Sequence, residues 1–352
     1  VVAAVVPERR ADAEPTPFVG REAELKRIFS AYEACLDERA PVVVSVTGPP
    51  GIGKSRLGRE LLRHLDDYRR SMPPHTEPSA GPTGDRSELA ELTPPTRVVT
   101  VRCEAYGRSR ALGTAADALL DLLRIPAGAT SPEVARALRP LGLVHDEGGL
   151  LSRLLAGERF GAEVDPQRAR DILYLAMTEL VLEATQDQPC VVVLEDVQWA
   201  DPESVAWFDH LLSRASGRAL LLLVMARPGF WKEDPQRFAE RNHVRVELRP
   251  IPRRATMAIA RALIGCDDSD PKLLEVAKQA AGSPLFAEEL ARVIASGRRA
   301  ESVPTIEAAI QVSLDALDDQ AHDPLVHMSV FGLSTWDRAL EDGKKHGYRN
   351  AQ

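Results

Sequence analysis

The chain has 352 residues, of which 44% are hydrophobic and 27% are charged, and its formal net charge is −8. This length exceeds one ordinary hydrophobic core, so we expect two domains and part of a third. The longest purely apolar run, 219–226, is far shorter than the roughly 20 residues that span a bilayer, and we expect no membrane contact. Acidic and basic residues are mixed along the chain, and we therefore expect no direct binding to nucleic acid.

The cysteines indicate a reducing compartment. They are far apart in sequence and form no Cys-x-x-Cys pair, which predicts free thiols rather than a disulfide framework or a zinc site. A cytoplasmic location is the corresponding expectation. The four residues are Cys35, Cys103, Cys190 and Cys266.

The first part of the chain has punctuated helix and strand patterns. Residues 1–17 carry Pro, Ala and charges without periodicity and are predicted to be a linker. Helical spacing follows from 21 to about 36, and the β-branched run Val42–Thr47 predicts a strand buried in a parallel sheet. After a further helical pattern at 54–65, the Pro-rich stretch 71–95 has too little apolar surface to offset the entropy of ordering. We predict a flexible surface insertion there.

Strand and helix patterns alternate through the middle of the chain. Because the strand candidates are apolar throughout, we expect an α/β fold in which helices flank a parallel sheet. A Ser-Pro pair at Ser131 predicts the N-cap of one of these helices. The predicted strands are 98–101, 190–194, Leu220–Ala226 and 244–248, and the predicted helices are 114–123, 131–138, 166–185 and one beginning at Pro202.

Beyond residue 250 the apolar spacing is helical only, with candidates at 254–264, 271–281, 284–296 and 306–317. This change predicts a small all-helical domain after the α/β domain. The predicted boundaries are 18–249 for the α/β domain, with its insertion at 71–95, and 250–317 for the helical domain. Residues 318–352 are predicted to be the start of a following domain or a tail.

Residues 48–55, Gly-Pro-Pro-Gly-Ile-Gly-Lys-Ser, match the phosphate-loop pattern G-x-x-x-x-G-K-[ST] in full. The glycines allow the backbone amides to point at phosphate oxygens, Lys54 is expected to reach the β- and γ-phosphates, and the Ser55 hydroxyl to ligate Mg²⁺. The motif follows a strand and opens a helix, whose dipole adds positive potential. These features predict binding of ATP or ADP with Mg²⁺, through Gly48, Gly51, Ile52, Gly53, Lys54, Ser55 and Arg56.

Two carboxylates follow the apolar run 190–194. A phosphate-loop site uses an acid at the tip of a neighbouring strand to hold Mg²⁺, and a second acid can position the attacking water. We assign Glu195 to the metal together with Ser55, and Asp196 to the water. The residues alone leave these two roles interchangeable.

Arg227 comes directly after the strand Leu220–Ala226. If that strand lies beside the acid-bearing strand, Arg227 brings a cation near the γ-phosphate and completes the catalytic set with Lys54, Glu195 and Asp196. The alternative is an arginine that caps a strand or forms a surface pair. We interpret Trp199 and Trp207 as packing residues near the site.

Four segments resemble one family. Residues 18–25, Phe-Val-Gly-Arg-Glu-Ala-Glu-Leu, look like the entry segment of AAA-type and STAND-type signal-transducing ATPases. Residues 195–204, Glu-Asp-Val-Gln-Trp-Ala-Asp-Pro-Glu-Ser, resemble the extended Walker B segment of its bacterial members. Ala-Arg-Pro at 226–228 is similar to the family's Thr-Arg-Pro sensor, and 280–290 resembles its Gly-x-Pro helical segment. Such modules occur in large LuxR-type regulators and fused to serine/threonine kinases or nucleotide cyclases.

The resemblance implies further contacts and a function. In that family the entry segment wraps the adenine, which implies contacts from Phe18, Val19 and Gly20, and the helical segment's proline, here Pro284, touches the base. The implied function is a slow ATPase that acts as a switch in bacterial signal transduction or transcription regulation. Its output would be self-association or contact with an effector domain.

Two other functions are compatible with these residues. A DNA-dependent AAA-type ATPase, such as an origin-recognition or helicase-loading protein, shares the Val-Gly-Arg-Glu entry. The Gln-Trp-Ala-Asp-Pro extension at 198–202 and the acidic net charge favour the signalling switch over it. The other possibility is a nucleotide-binding module without turnover.

Overall fold

The computed structural model describes residues 16–71, 96–104, 110–142, 149–158, 160, 165–297, 305, 306 and 308. The predicted insertion beyond Ser71, nearly all of the predicted linker and last helix, and the segment 318–352 lie outside these residues. The chain divides into two compact units. The α/β unit comprises 22–50 and 54–248, and the helical unit comprises the described residues of 1–21, 51–53 and 249–352.

Helices and strands alternate along most of the α/β unit, as the periodicity predicted, but four of the described helices follow one another between the second and third strands. Short 3₁₀ turns at Arg139–Leu141 and Val197–Trp199 connect some of these elements. The elements are α1 (Glu22–Glu38), β1 (Val42–Thr47), α2 (Lys54–Ser71), β2 (Arg97–Arg102), α3 (Gly113–Leu123), α4 (Ser131–Leu138), α5 (Leu150–Leu155), α6 (Pro166–Ala184), β3 (Cys190–Glu195), α7 (Pro202–Arg214), β4 (Leu220–Ala226), α8 (Pro228–Glu233) and β5 (Asn242–Glu247).

The strands form one five-stranded sheet in the order β2-β3-β4-β1-β5, and every neighbouring pair is parallel. This sheet, flanked by helices, confirms the predicted α/β P-loop NTPase fold. β4 is buried along its whole length and lies between β1 and β3. Because the strands are parallel, their carboxyl ends meet at one edge of the sheet, where Thr47 of β1 pairs in register with Ala226 of β4.

Aliphatic and aromatic side chains from the sheet and from α3 to α7 form the core of the α/β unit. Trp207 on α7 is 1% exposed, and its indole N–H donates to the Thr178 hydroxyl at 3.3 Å, which confirms its predicted packing role. The four cysteines carry free thiols, three of them buried. Burial raises the pKa of the Cys35, Cys103 and Cys190 thiols to about 12, so these side chains remain protonated.

The helical unit contains α9 (Arg253–Ile264), α10 (Pro271–Ala280) and α11 (Pro284–Ala295). Their apolar faces form a separate core, on which Val19 packs from the N-terminal segment. Gly282 is required at the turn before α11, because its φ is +79° and an added Cβ would lie 2.7 Å from the Ile251 carbonyl oxygen. The Ile251 N–H donates to the Gly282 carbonyl at 2.9 Å.

The two compact units differ from the predicted domains in where the short segments belong. Residues 18–21 pack with the helical unit, since Val19 joins its core, although the sequence assigned them to the α/β domain. The domain boundaries at 17/18, 249/250 and 317/318 stay predictions. Along the described ranges, no helix combines the length and the apolar character needed to cross a membrane.

Candidate nucleotide-binding site

Lys54 begins α2 and is 8% exposed. Its Nζ donates hydrogen bonds to the carbonyl oxygens of Gly48, at 2.9 Å, and Pro49, at 3.0 Å. Burial lowers the pKa of Lys54, the Asp196 carboxylate acts in the opposite direction, and the Arg227 guanidinium lowers it further. The fold therefore brings three of the predicted catalytic side chains into one electrostatic neighbourhood.

The amino end of α2 has the properties of a phosphate site. The helix is 18 residues long and carries no acidic residue in its first turn, so no carboxylate there neutralises its positive end. Ser55 and Arg56 lie in this first turn and are partly buried. The Gly48 N–H donates to the Ala226 carbonyl at 3.4 Å, which ties the start of the loop to the end of β4. Amides, an ammonium and a hydroxyl form a donor set that fits a polyphosphate.

Glu195 and Asp196 end β3 at the same edge of the sheet. Glu195 is partly buried and pairs in register with Arg102 of β2. Asp196 adopts the left-handed conformation, with φ 56° and ψ 41°, which an aspartate tolerates better than most residues. Its carboxylate accepts a hydrogen bond from the Gln198 side-chain amide at 3.0 Å and lies 3.7 Å from Arg102 Nε.

A magnesium site made by this edge would be sparse in protein ligands. No group of three or more His, Cys, Asp or Glu side chains suited to a metal occurs within the part of the chain that the structure describes. Mg²⁺ commonly takes one or two protein oxygens and completes its shell with water and substrate phosphates. The predicted pair of Ser55 and Glu195 fits that pattern, and its role as the ligand set stays a prediction.

Arg227 follows β4, which lies beside both the strand before the loop and the acid-bearing strand. The adjacency expected from sequence is therefore confirmed, whereas the sensor role stays a prediction. The Arg227 side chain is exposed, and its guanidinium carbon lies 5.8 Å from the centre of the Trp199 ring. Its backbone N–H donates to the side-chain oxygen of Gln198 at 3.1 Å.

The second half of the segment 195–204 forms a different kind of site. Asp201 is 1% exposed and caps α7, accepting from the Ser204 N–H at 2.8 Å and the Ser204 hydroxyl at 2.6 Å. The same carboxylate accepts from the N–H groups of Leu112, at 2.8 Å, and Thr114, at 3.1 Å. The Ser204 hydroxyl in turn accepts from the Ala115 N–H at 2.9 Å. Asp201 and Ser204 thus clamp the start of α3.

The central loop residues, 51–53, pack within the helical unit. The Leu285 N–H at the start of α11 donates to the Gly51 carbonyl at 3.2 Å. Gly51 has φ +74°, and an added Cβ would lie 3.2 Å from the Leu285 side chain, so a larger residue is disfavoured there. At Gly53, with φ +101°, the atom nearest to an added Cβ is Pro284 Cγ at 3.8 Å. The predicted residue Pro284 therefore lies next to this loop.

The entry segment 18–21 is held by backbone acceptors in the same unit. The guanidinium of Arg21, which is 5% exposed, donates to the carbonyl oxygens of Ile52, at 3.2 Å, and Arg249. An added Cβ at Gly20, whose φ is +74°, would lie 2.9 Å from Ala255 Cβ. Phe18 and Val19 are partly buried. The adenine contacts expected of Phe18, Val19 and Gly20 stay predictions.

Sequence reasoning missed two contributors to this edge, Gln198 and Arg102. Gln198 lies within the segment 195–204, and its position two residues after Asp196 was the sequence signal that could have identified it. Arg102 had no such signal, because only the pairing of β2 with β3 brings it to the acids.

Comparison with known families agrees with this geometry. The model of the AAA ATPase domain matches residues 17–224, and the chain belongs to this family. Membership implies nucleotide binding and ATP hydrolysis.

A curated relative, an uncharacterized protein of Rhizobium meliloti (strain 1021), is 25% identical over 302 residues. The match covers 83% of this chain but 26% of the relative. The chain thus spans about a quarter of the length of that relative, and what the whole protein does is a matter for proposal.

Two solved structures are similar to this chain. The ORC1 protein of Aeropyrum pernix, determined in complex with DNA, is 15% identical, with a TM-score of 0.50, and the match covers 99% of this chain and 82% of that one. Cdc6p of Pyrobaculum aerophilum is 16% identical, with a TM-score of 0.46 and coverages of 84% and 68%. At such identities the likeness extends to the fold alone.

Proposed function

We propose that this chain is a nucleotide-operated switch of the STAND type, which binds ATP with Mg²⁺ and hydrolyses it slowly in cytoplasmic signal transduction or transcription regulation of bacteria. The observation that carries the proposal is the convergence of Lys54, Asp196 and Arg227 at the end of a complete phosphate loop. The amino-acid sequence of the segment 195–204, in which Gln198 and Trp199 follow the two acids, supports the signalling branch of the family.

Each residue has a defined task in this proposal. The loop amides and Lys54 bind the β- and γ-phosphates, and Ser55 and Glu195 hold Mg²⁺. Mg²⁺, when bound, neutralises charge on the transferred phosphoryl group. Asp196 accepts a hydrogen bond from the attacking water, with Glu195 as the interchangeable candidate, and Arg227 stabilises negative charge on the γ-phosphate.

The helical unit supplies the means of regulation. At the start of α11, the Leu285 N–H donates a hydrogen bond to the Gly51 carbonyl of the loop. A rearrangement of the loop at Gly51 would therefore change the position of the first residues of α11. We infer that the ATP and ADP states differ in this contact and that α11 passes the difference to a second copy of the chain or to an effector domain. A nucleotide-dependent change in oligomeric state is the corresponding readout.

The alternative function is a DNA-dependent AAA-type ATPase. Its support is the fold shared with the Aeropyrum pernix ORC1 protein, whose structure contains DNA. The formal net charge of −8 argues against it, because affinity for duplex DNA depends on phosphate neutralisation by cations. Binding of this chain to duplex DNA at physiological salt would favour the alternative.

A Lys54→Ala variant tests the central assignment. We expect loss of ATP binding or of phosphate release, by about 10²-fold or more, because the side chain neutralises the β- and γ-phosphates. Equilibrium titration with ATP and ADP in Mg²⁺ and single-turnover phosphate release are the measurements. Lys278→Ala, at an exposed position on α10, is the matched control. Unchanged ATP affinity and turnover in Lys54→Ala would remove the proposed site.

A further inference from the structure

We propose that Gln198 and Trp199 are positioning residues that hold Arg227 in register with Asp196, so that cation and carboxylate act on the γ-phosphate as one unit. This inference rests on the proposed ATPase function and assigns to the Gln-Trp pair a task beyond packing. Neither residue needs to touch the nucleotide, because each acts through Arg227 or Asp196.

The first support is the rigidity of the turn that carries both residues. The 3₁₀ turn Val197–Trp199 starts directly after Asp196 and is closed by the Trp199 N–H, which donates to the Asp196 carbonyl at 2.9 Å. The Ala200 N–H donates to the Val197 carbonyl at 3.0 Å. Gln198 is 9% exposed, so its side chain lies inside the protein rather than in solvent.

The second support is the chemistry of the two Gln198 hydrogen bonds. The Asp196 carboxylate can only accept, and the Arg227 N–H can only donate. The Gln198 amide satisfies both groups at once. Its N–H donates to the Asp196 carboxylate at 3.0 Å, and its oxygen accepts from the Arg227 backbone N–H at 3.1 Å. These partners also determine the orientation of the amide. A glutamate would retain only the second bond, and a methionine of similar length would retain neither.

The third support is that Arg227 is held at both ends. Gln198 fixes its backbone N–H, and the Trp199 ring lies 5.8 Å below its guanidinium carbon, within the range of a cation–π contact. The next residue, Pro228, opens α8 and restrains the chain just beyond. An exposed arginine otherwise loses considerable rotamer entropy when it engages a ligand, and these contacts reduce that loss.

The consequence is a link between two neighbouring strand ends. β3 ends in the acids and β4 ends in Arg227, and the Gln198 amide joins them. Because Arg227 would contact the γ-phosphate, the link should affect ATP and hydrolysis much more than ADP. The ratio of the ADP and ATP dissociation constants reports on this link without requiring turnover.

The test compares Gln198→Met and Arg227→Ala, alone and combined, with Gln167→Met on the exposed face of α6 as the matched control. We expect Gln198→Met to lower phosphate release by about 10²-fold and to reduce the preference for ATP, with ADP affinity changed by no more than about 3-fold. If Gln198 acts through Arg227, the combined variant should resemble Arg227→Ala within about 3-fold. Trp199→Leu should reduce the ATP preference by about 3-fold.

Gln198→Glu separates the two hydrogen bonds, because it keeps the acceptor for the Arg227 N–H and loses the donor to Asp196. We expect it to retain more of the preference for ATP than Gln198→Met does, a difference that a role in packing alone would not produce. Thermal unfolding midpoints verify that each variant is folded.

The outcomes that would overturn the inference are distinct from those that would overturn the ATPase proposal. Three outcomes would each contradict the positioning role. They are a folded Gln198→Met variant with wild-type ATP preference and turnover, effects that add fully in the combined variant, and a Gln198→Glu variant that prefers ATP no more than Gln198→Met does. A wild-type chain that does not bind ATP, or that is insensitive to Lys54→Ala, contradicts the proposed function itself.

Discussion

The two halves of the segment 195–204 contain similar residues in different physical states. Asp196 has a side chain that is 25% exposed, and it meets Gln198 and Arg102 at the sheet edge. Asp201, five residues later, is 1% exposed and accepts four hydrogen bonds from residues at the starts of α3 and α7. The first carboxylate retains capacity for a ligand, whereas the second is fully used by the fold.

This difference separates a carboxylate of the candidate site from a carboxylate that stabilises the fold, both within one motif. A family resemblance treats 195–204 as a single signature, and both aspartates look equally functional in it. Burial and hydrogen bonding distinguish them, because a carboxylate that must bind metal or orient water needs open lone pairs, while one that clamps backbone amides needs them occupied. We therefore expect substitutions in the first half to affect turnover, and those in the second half to affect stability.

The largest expected effect is on catalysis. Glu195→Gln combined with Asp196→Asn should lower phosphate release by about 10²-fold or more, because metal binding and water orientation both require the charges. Asparagine tolerates the left-handed backbone of residue 196, so the urea midpoint should barely move. Unchanged phosphate release would mean that these acids are not catalytic, and would leave a nucleotide-binding module as the better description.

The next largest effect is on stability and belongs to Asp201. Asp201→Ala should lower the free energy of unfolding by about 3 kcal/mol, because the buried N–H groups of Leu112, Thr114 and Ser204 lose their acceptor. Chemical denaturation measures this change. Ser204→Ala, which removes one donor to Asp201 and one acceptor for Ala115, should have a smaller effect of about 1 kcal/mol. A wild-type midpoint in Asp201→Ala would contradict the structural role.

An effect smaller than that of Asp201 is expected at a partly buried titratable group in the sheet. The His243 Nε2 lies 2.9 Å from the Ser45 hydroxyl, and burial, with help from Arg245, lowers the pKa of His243 to about 4. An unfolded histidine titrates near pH 6.5, so the unfolded state binds the proton more tightly. Stability present above about pH 6.5 should therefore fall as the pH drops toward 4, by about 2 kcal/mol.

His243→Gln isolates this contribution, since the glutamine does not titrate. Urea midpoints at pH 7, 5.5 and 4 should decline less steeply in the variant than in the wild type. Equal slopes for both proteins would assign the acid sensitivity to carboxylates elsewhere in the chain.

Local patterns were sufficient for most of the fold. The buried run Val42–Thr47 and the Pro-marked start of α7 were predicted from periodicity and helix-start chemistry, and both occur as expected. Short elements were missed, namely α5 and α8, because six residues hold too few periods to identify a helix. The predicted N-cap Ser131 was wrong by one residue. Thr130 takes that position, because the Glu133 carboxylate accepts from its N–H and its hydroxyl, each at 2.8 Å, and forms a capping box.

By itself the sequence identified the candidate site residues that can be recognised from their neighbours along the chain. These are the loop 48–55, the acids after β3 and the arginine after β4. A phosphate loop can be recognised from sequence because its glycines, lysine and serine all lie within one short stretch of the chain. Only the tertiary structure decided which side chains join them, since parallel pairing brings Arg102 to Glu195 and strand order puts Arg227 beside the acids. It likewise separated Asp196 from Asp201, because burial depends on contacts between residues about 90 positions apart in the chain, which no local pattern records.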